Sequence, residues 1–176
     1  MRLLAPVAIA ALLLSGCTAA AVKESQAPSP FAACAPATGG STLPDITLDC
    51  LTGDSPVRLA DLRGPAVLNI WGSYCGPCRA ELPVIQKLAD TGKLTVLGVD
   101  TGDTRAAAIS FGTDHGVSMP TLFDPDRKLV AQLGVISLPS TIFVDATGKI
   151  FIYRYAMDAP ALTEQVAKHA GVTVTL

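Results

Sequence analysis

An α/β domain with a central mixed β-sheet flanked by helices is predicted by three observations. Ala66–Trp71 and Leu94–Val99 are apolar runs with the length and composition of strands buried on both faces. Between them Leu82, Ile85 and Leu88 recur at helical spacing, which makes a β-α-β unit whose strands run parallel. Farther on, Ser140–Val144 and Ile150–Tyr155 flank the turn Ala146-Thr147-Gly148 and pair antiparallel. A sheet holding both kinds of pairing is mixed.

The chain begins with Arg2 and an apolar run, Leu3–Leu14, interrupted by Pro6. A bilayer span takes about 20 apolar residues, so residues 1–16 read as a signal peptide and not as a transmembrane helix. The run closes on Leu14-Ser15-Gly16-Cys17, which resembles a bacterial lipobox and makes Cys17 the lipidated new N-terminus. Two acyl chains there suffice for a stable anchor. An ordinary secretory signal, cleaved among the alanines after Thr18, is the alternative. Residues 17–41 are rich in Ala, Pro, Ser and Gly without periodicity and read as a flexible, lipid-anchored tether. Residues 42–176 then form one domain, large enough to bury its own core. A formal net charge of -2 offers no basic footprint for nucleic acid.

Within the domain, Thr47–Leu51 and Val57–Leu59 read as an N-terminal β-hairpin around Thr52-Gly53-Asp54. The central strand follows, with Asn69 inside it, and then the helix carrying Leu82, Ile85 and Leu88, in which Pro83 predicts a kink. Asp100–Asp103 turns the chain into a helix over Thr104–Thr113, ended by His115-Gly116. Pro120–Phe123 reads as an extra strand and Lys128–Leu133 as a short helix, together a central βα insertion; Asp124 and Asp126 flank a proline there and read as solvated turn residues. Pro160–Ala170 forms the closing helix, with Leu162, Val166 and Ala170 on one face and His169 in the last turn, at the negative end of the dipole.

The chemistry concentrates at Trp71-Gly72-Ser73-Tyr74-Cys75-Gly76-Pro77-Cys78, where a strand meets a helix. Cys75 falls at the first helical turn. Free N–H groups and the positive dipole end stabilise a thiolate there, and helix N-termini bring C-x-x-C cysteines down to a pKa of roughly 3.5 to 7.5. Cys78, three residues on, shares a helical face with Cys75 and can attack a mixed disulfide formed on it. Pro77 suits a first turn, where its missing N–H costs nothing, and Gly76 lets a partner backbone approach. The pair is a two-electron switch. A structural zinc site would take a second C-x-x-C or a nearby His pair, and the sequence has neither; no metal or organic cofactor is implied.

Trp71 to Cys78, the stretch Leu138-Pro139-Ser140-Thr141-Ile142-Phe143-Val144-Asp145 and the order of elements between them resemble the TlpA/ResA/DsbE-like branch of the thioredoxin superfamily over about residues 43–171. The resemblance implies a thioredoxin-like fold and a thiol–disulfide oxidoreductase in which Cys75 exchanges with substrate and Cys78 resolves. It also implies a cis bond before Pro139, a loop that faces the C-x-x-C, and a Leu138 backbone that pairs with an extended substrate segment. Asn69 departs from the cytoplasmic thioredoxins, which carry a buried Asp there that assists proton transfer; an amide cannot take up that proton. Glu81 stands where ResA-like reductases carry a functional glutamate, and the bland alternative is a solvated carboxylate near Arg79. The implied partners are exported proteins with disulfides or thiols and a membrane thiol–disulfide electron donor. The setting is the extracytoplasmic side of a bacterial cell membrane, with the protein acting as a monomer. Reduction is the implied direction, with apocytochrome c maturation as one destination; an extracytoplasmic oxidant of the same fold is the alternative. A rival of another class is a copper-delivery module, although Sco-type carriers use C-x-x-x-C and a distant histidine.

If Cys17 carries lipid, four thiols remain, an even count that favours disulfides outside the cytoplasm. Pairing Cys75 with Cys78 leaves Cys34 with Cys50 as a structural bridge; free thiols or a second redox pair are the alternatives. Pro44 to Cys50 comes near the peroxiredoxin pattern P-x-x-x-T-x-x-C but is one residue short, and Ile46 and Leu48 alternate with polar neighbours as a strand does.

Overall fold

Side-chain alternation along Ala66–Trp71 decides the architecture. All six residues are buried; Ala66, Leu68 and Ile70 point into one hydrophobic cluster and Val67 and Trp71 into another on the opposite face. A strand of this kind has to be covered on both sides. The computed structural model describes residues 28–176, and the expected signal peptide, Cys17 and the first part of the tether lie outside them. In chain order the elements are β1 (Thr47–Cys50), β2 (Val57–Arg58), β3 (Ala66–Trp71), α1 (Gly76–Asp90), β4 (Thr95–Thr101), α2 (Arg105–His115), β5 (Thr121–Asp124), α3 (Lys128–Gln132), β6 (Ser140–Val144), β7 (Ile150–Tyr153) and α4 (Ala159–Gln165). One seven-stranded sheet takes the order β2-β1-β5-β4-β3-β6-β7. The pairs β3–β4 and β4–β5 are parallel, and the pairs β1–β2, β1–β5, β3–β6 and β6–β7 are antiparallel. The mixed sheet, the hairpin and the βα insertion of the sequence reading are all present.

On one face Leu82, Ile85 and Leu88 of α1 pack with Val67, Trp71, Phe143 and Leu162; on the other Leu59, Leu122, Leu129 and Ile142 pack with Leu68 and Ile70. Trp71 is fully buried, its ring centroid 5.2 Å from that of Phe111. Gly98 of β4 makes this possible. A Cβ at that position would stand 2.6 Å from Thr121 Oγ1 and 3.0 Å from Trp71 Nε1, closer than side chains tolerate.

Three local readings need correction. The end of the expected tether is docked: Phe31 and Cys34 are buried, Ala32 N–H donates to Ser118 O at 2.8 Å, and Cys34 is joined to Cys50 by a disulfide. The crosslink is the Cys34–Cys50 bridge that the cysteine count leads to; the unforeseen anchor is Phe31, a single large apolar side chain in a segment without periodicity. The closing helix becomes a π-helical turn at Val166–Ala170, and the spacing of Leu162, Val166 and Ala170 fits either helix type. Asp124 is buried rather than solvated, because its carboxylate accepts from the Lys128 and Leu129 amides at 2.7 and 3.1 Å and so caps α3.

The Cys34–Cys50 bridge spans a sequence separation of 16, far from Cys75 in the chain. A Cys34→Ala, Cys50→Ala double variant is expected to lose about 3 kcal/mol of unfolding free energy, the chain-entropy value for a loop of this length. Urea denaturation of both proteins checks it, and equal midpoints would show that the bridge contributes nothing.

Candidate active site

The strand-to-helix junction is built as the sequence implies. β3 ends at Trp71, three residues bridge to Cys75, and Cys75 sits at the N-cap of α1 in extended backbone (φ -87°, ψ 107°) with Pro77 in the first turn. Cys78 N–H donates to Cys75 Sγ at 3.2 Å. The two cysteines form a disulfide with Cα atoms 5.3 Å apart. Their exposures differ: Cys75 keeps 7% of its surface and Cys78 none. A sulfur arriving from outside therefore meets Cys75. The Cys78 amide and the positive end of the α1 dipole are placed to stabilise negative charge on the Cys75 sulfur after reduction.

Two contacts fix the loop before Cys75. Ser73 N–H donates to Asp103 Oδ2 at 2.7 Å, and the Tyr74 hydroxyl donates to Thr101 O at 3.1 Å. Both acceptors lie at the C-terminal end of β4 or just beyond it. Asp100, opposite Trp71 in the β3–β4 register, is completely buried, and neither of its oxygens has a hydrogen-bond donor among the described residues. Burial pushes its pKa up to about 8, helped by the neighbouring Asp103 and then Asp124. Asp100 is a neutral acid over most of the physiological range. Sequence reading passed over it, because an Asp closing an apolar run ordinarily marks the solvated end of a strand.

The Leu138–Pro139 bond is cis, and the residues before it face the C-x-x-C across a cleft of about 390 Å³. Tyr74, Cys75, Pro77, Arg127, Ile136 and Leu138 are among its lining residues. Ile136 is 93% exposed and Tyr74 54%, an apolar rim on the side where Cys75 opens.

Glu81 lies one helical turn beyond Cys78 on α1. It is buried rather than solvated, and it pairs with Asn69 instead of Arg79: Asn69 Nδ2 donates to Glu81 Oε2 at 2.8 Å, and Met157 N–H donates to Oε1 at 3.0 Å. Asn69 also donates to Thr141 Oγ1 at 3.0 Å. Burial raises the Glu81 pKa above the ordinary carboxylate value, and the two hydrogen bonds offset part of that rise. Glu81→Gln keeps the shape and removes the titrating carboxyl group. The ionised form is the base, so the low-pH limb of the pH–rate profile for disulfide exchange is expected to flatten, with a loss of about tenfold near neutrality. An unchanged profile would leave Glu81 a purely structural residue. Among the described residues no three His, Cys, Asp or Glu side chains cluster to hold a metal ion, and no helix is long and apolar enough to cross a membrane.

A model of the AhpC/TSA family matches residues 40–152, which hold the hairpin, the Cys75–Cys78 junction and the cis-Pro139 loop. The chain belongs to the AhpC/TSA family. This AhpC/TSA member is 38% identical over 113 residues to the thiol:disulfide interchange protein DsbE of Pseudomonas fluorescens biotype C, a match covering 63% of either chain. It is 31% identical over 115 residues to the thiol-disulfide oxidoreductase ResA of Bacillus subtilis, covering 63% of this chain and 64% of that one. The matches thus span just under two thirds of these relatives' own lengths. In three dimensions it is similar to a secreted Mycobacterium tuberculosis disulfide oxidoreductase homologous to E. coli DsbE, with a TM-score of 0.64 and 27% identity over 70% of this chain and 96% of that one. The fold of this AhpC/TSA member is accordingly thioredoxin-like.

Proposed function

We propose that this protein is an extracytoplasmic thiol–disulfide oxidoreductase with Cys75 as nucleophile and Cys78 as resolving thiol. The observation that carries the reading is the N-cap position of Cys75, its sulfur open to the cleft, with Cys78 sealed behind it. In the reducing direction the Cys75 thiolate attacks one sulfur of a substrate disulfide, forming a Cys75–substrate bond and expelling the other substrate sulfur as a thiolate. Cys78, losing its proton, then attacks Cys75 Sγ, releasing the second substrate thiolate and closing the Cys75–Cys78 disulfide. The substrate gains two electrons and the protein dithiol loses them. Glu81 is the group for the Cys78 proton, and Leu138 and Pro139 shape the wall against which substrate lies. Trp71, Gly76 and Pro77 set the geometry of the loop and first turn.

The reading extends to a lipid anchor at Cys17, to exported protein substrates including apocytochrome c, and to a membrane thiol–disulfide donor that restores the dithiol. The lipobox-like Leu14–Cys17, the family resemblance and the Cys34–Cys50 bridge support it, since disulfides persist outside the cytoplasm. The test is the reduction potential of the Cys75–Cys78 couple, with insulin-disulfide reduction measured beside it. A potential near −270 mV with rapid insulin reduction supports the reductase; one near −120 mV makes the protein an oxidant. A couple that exchanges with neither insulin nor glutathione would overturn the oxidoreductase itself.

A further inference from the structure

We propose that Arg127 makes the cleft beside Cys75 selective for protein segments that carry an acidic side chain close to the exchanging cysteine. This rests on the oxidoreductase reading above and adds to it the chemistry of the preferred partner.

Arg127 is the one charged residue lining the cleft, which is otherwise walled by apolar and neutral side chains such as Val130, Val135 and Ile136. It is exposed, and among the described residues its guanidinium has neither an ion pair nor a hydrogen-bond acceptor. The carboxylates of the adjoining turns are otherwise engaged. Asp124 holds Thr101 Oγ1 and the amides of Lys128 and Leu129, Asp126 pairs with Lys128 Nζ at 3.1 Å, and Asp103 accepts from the Ser73 and Thr104 amides. The backbone that carries this cation is held in place. Arg127 is the single non-glycine residue with positive φ (58°) among the described residues, and its N–H donates to Asp124 O at 3.1 Å. A left-handed backbone is uncommon for a residue of this type. Its guanidinium lies against Gly102, where any Cβ would collide with it, so a bare stretch of backbone lets the head group reach the cleft. A donor fork with no internal acceptor, carried on a constrained backbone beside a reactive sulfur and an apolar rim, complements a carboxylate flanked by an apolar side chain.

The test uses three synthetic peptides of one length, each holding a cysteine in mixed disulfide with thionitrobenzoate, flanked by Glu, Gln or Lys. Reduced full-length protein attacks with Cys75, thionitrobenzoate leaves as the coloured thiolate, and the rate constant is read directly. Wild type is expected to react with the Glu peptide about tenfold faster than with the Lys peptide at low ionic strength, the ratio shrinking as salt is added. Arg127→Lys should keep the order, Arg127→Gln should bring the ratio to about one, and Arg127→Glu should invert it. An effect of Arg127 on the Cys75 thiolate alone would move all three peptides together and leave the ratio intact, which would overturn the proposal. So would a wild-type ratio of one with all three peptides reacting. If no peptide reacts, the oxidoreductase reading falls first and the selectivity with it.

Discussion

Cys75→Ser is expected to abolish disulfide exchange, lowering the rate by at least about three orders of magnitude, because no second sulfur is placed to take over. Cys78 is wholly buried behind Cys75, so its thiol cannot meet a folded substrate. Cys78→Ala should behave differently. Its Cys75 keeps the N-cap position and attacks once, giving a stoichiometric burst of product thiol and a mixed disulfide that persists in the absence of added thiol. The pair of variants separates the two roles by mass spectrometry of the trapped species. If Cys75→Ser forms mixed disulfides through Cys78 as fast as wild type does through Cys75, the assignment of nucleophile is reversed. If Cys78→Ala turns over at the wild-type rate, resolution does not use Cys78.

Asp100→Asn is expected to stabilise the protein increasingly as pH rises. The carboxyl has a folded-state pKa of about 8, against about 3.9 for an unfolded aspartate. A raised pKa means that the folded chain binds the extra proton. The associated stability is complete below about pH 4 and is lost as pH climbs toward 8, by at most about 1.4 kcal/mol per unit. Asparagine carries no such proton, so the variant's stability should not fall across this window on that account. Glu81, also shifted upward, is present in both proteins and cancels in the difference. Urea denaturation at pH 5, 6.5 and 8 reads the gap, which should widen with pH; parallel curves would mean that Asp100 ionises normally.

How much could be read without coordinates depends on whether a residue's role is local. β3 declared itself because six consecutive buried positions leave an apolar signature, and Cys75 did so because an N-cap is fixed by its neighbours in the chain. Asp100 did not, and Glu81 stood out only through the family resemblance, its burial being invisible in the residues around it. A carboxylate at a strand end, or one turn into a helix, looks the same whether solvent or protein covers it. What buries Glu81 is Asn69 and the Met157 amide, 12 and 76 residues away. His169 shows the same limit: placed to favour the dipole as a cation, it instead stacks flat on Phe151 at 3.5 Å, and burial and then Lys168 lower its pKa. Gly98 left no signal either, since the indole and hydroxyl that exclude a side chain there come from two other strands.

Docking of Phe31 and Cys34 shortens the leash. Composition alone would let the chain swing from residue 17 to residue 41, about 80 Å at full stretch, whereas fixing it at Phe31 leaves about 50 Å. With lipid at Cys17, the redox centre would patrol a shell one domain deep above the bilayer, so only donors and clients that enter that shell would be served.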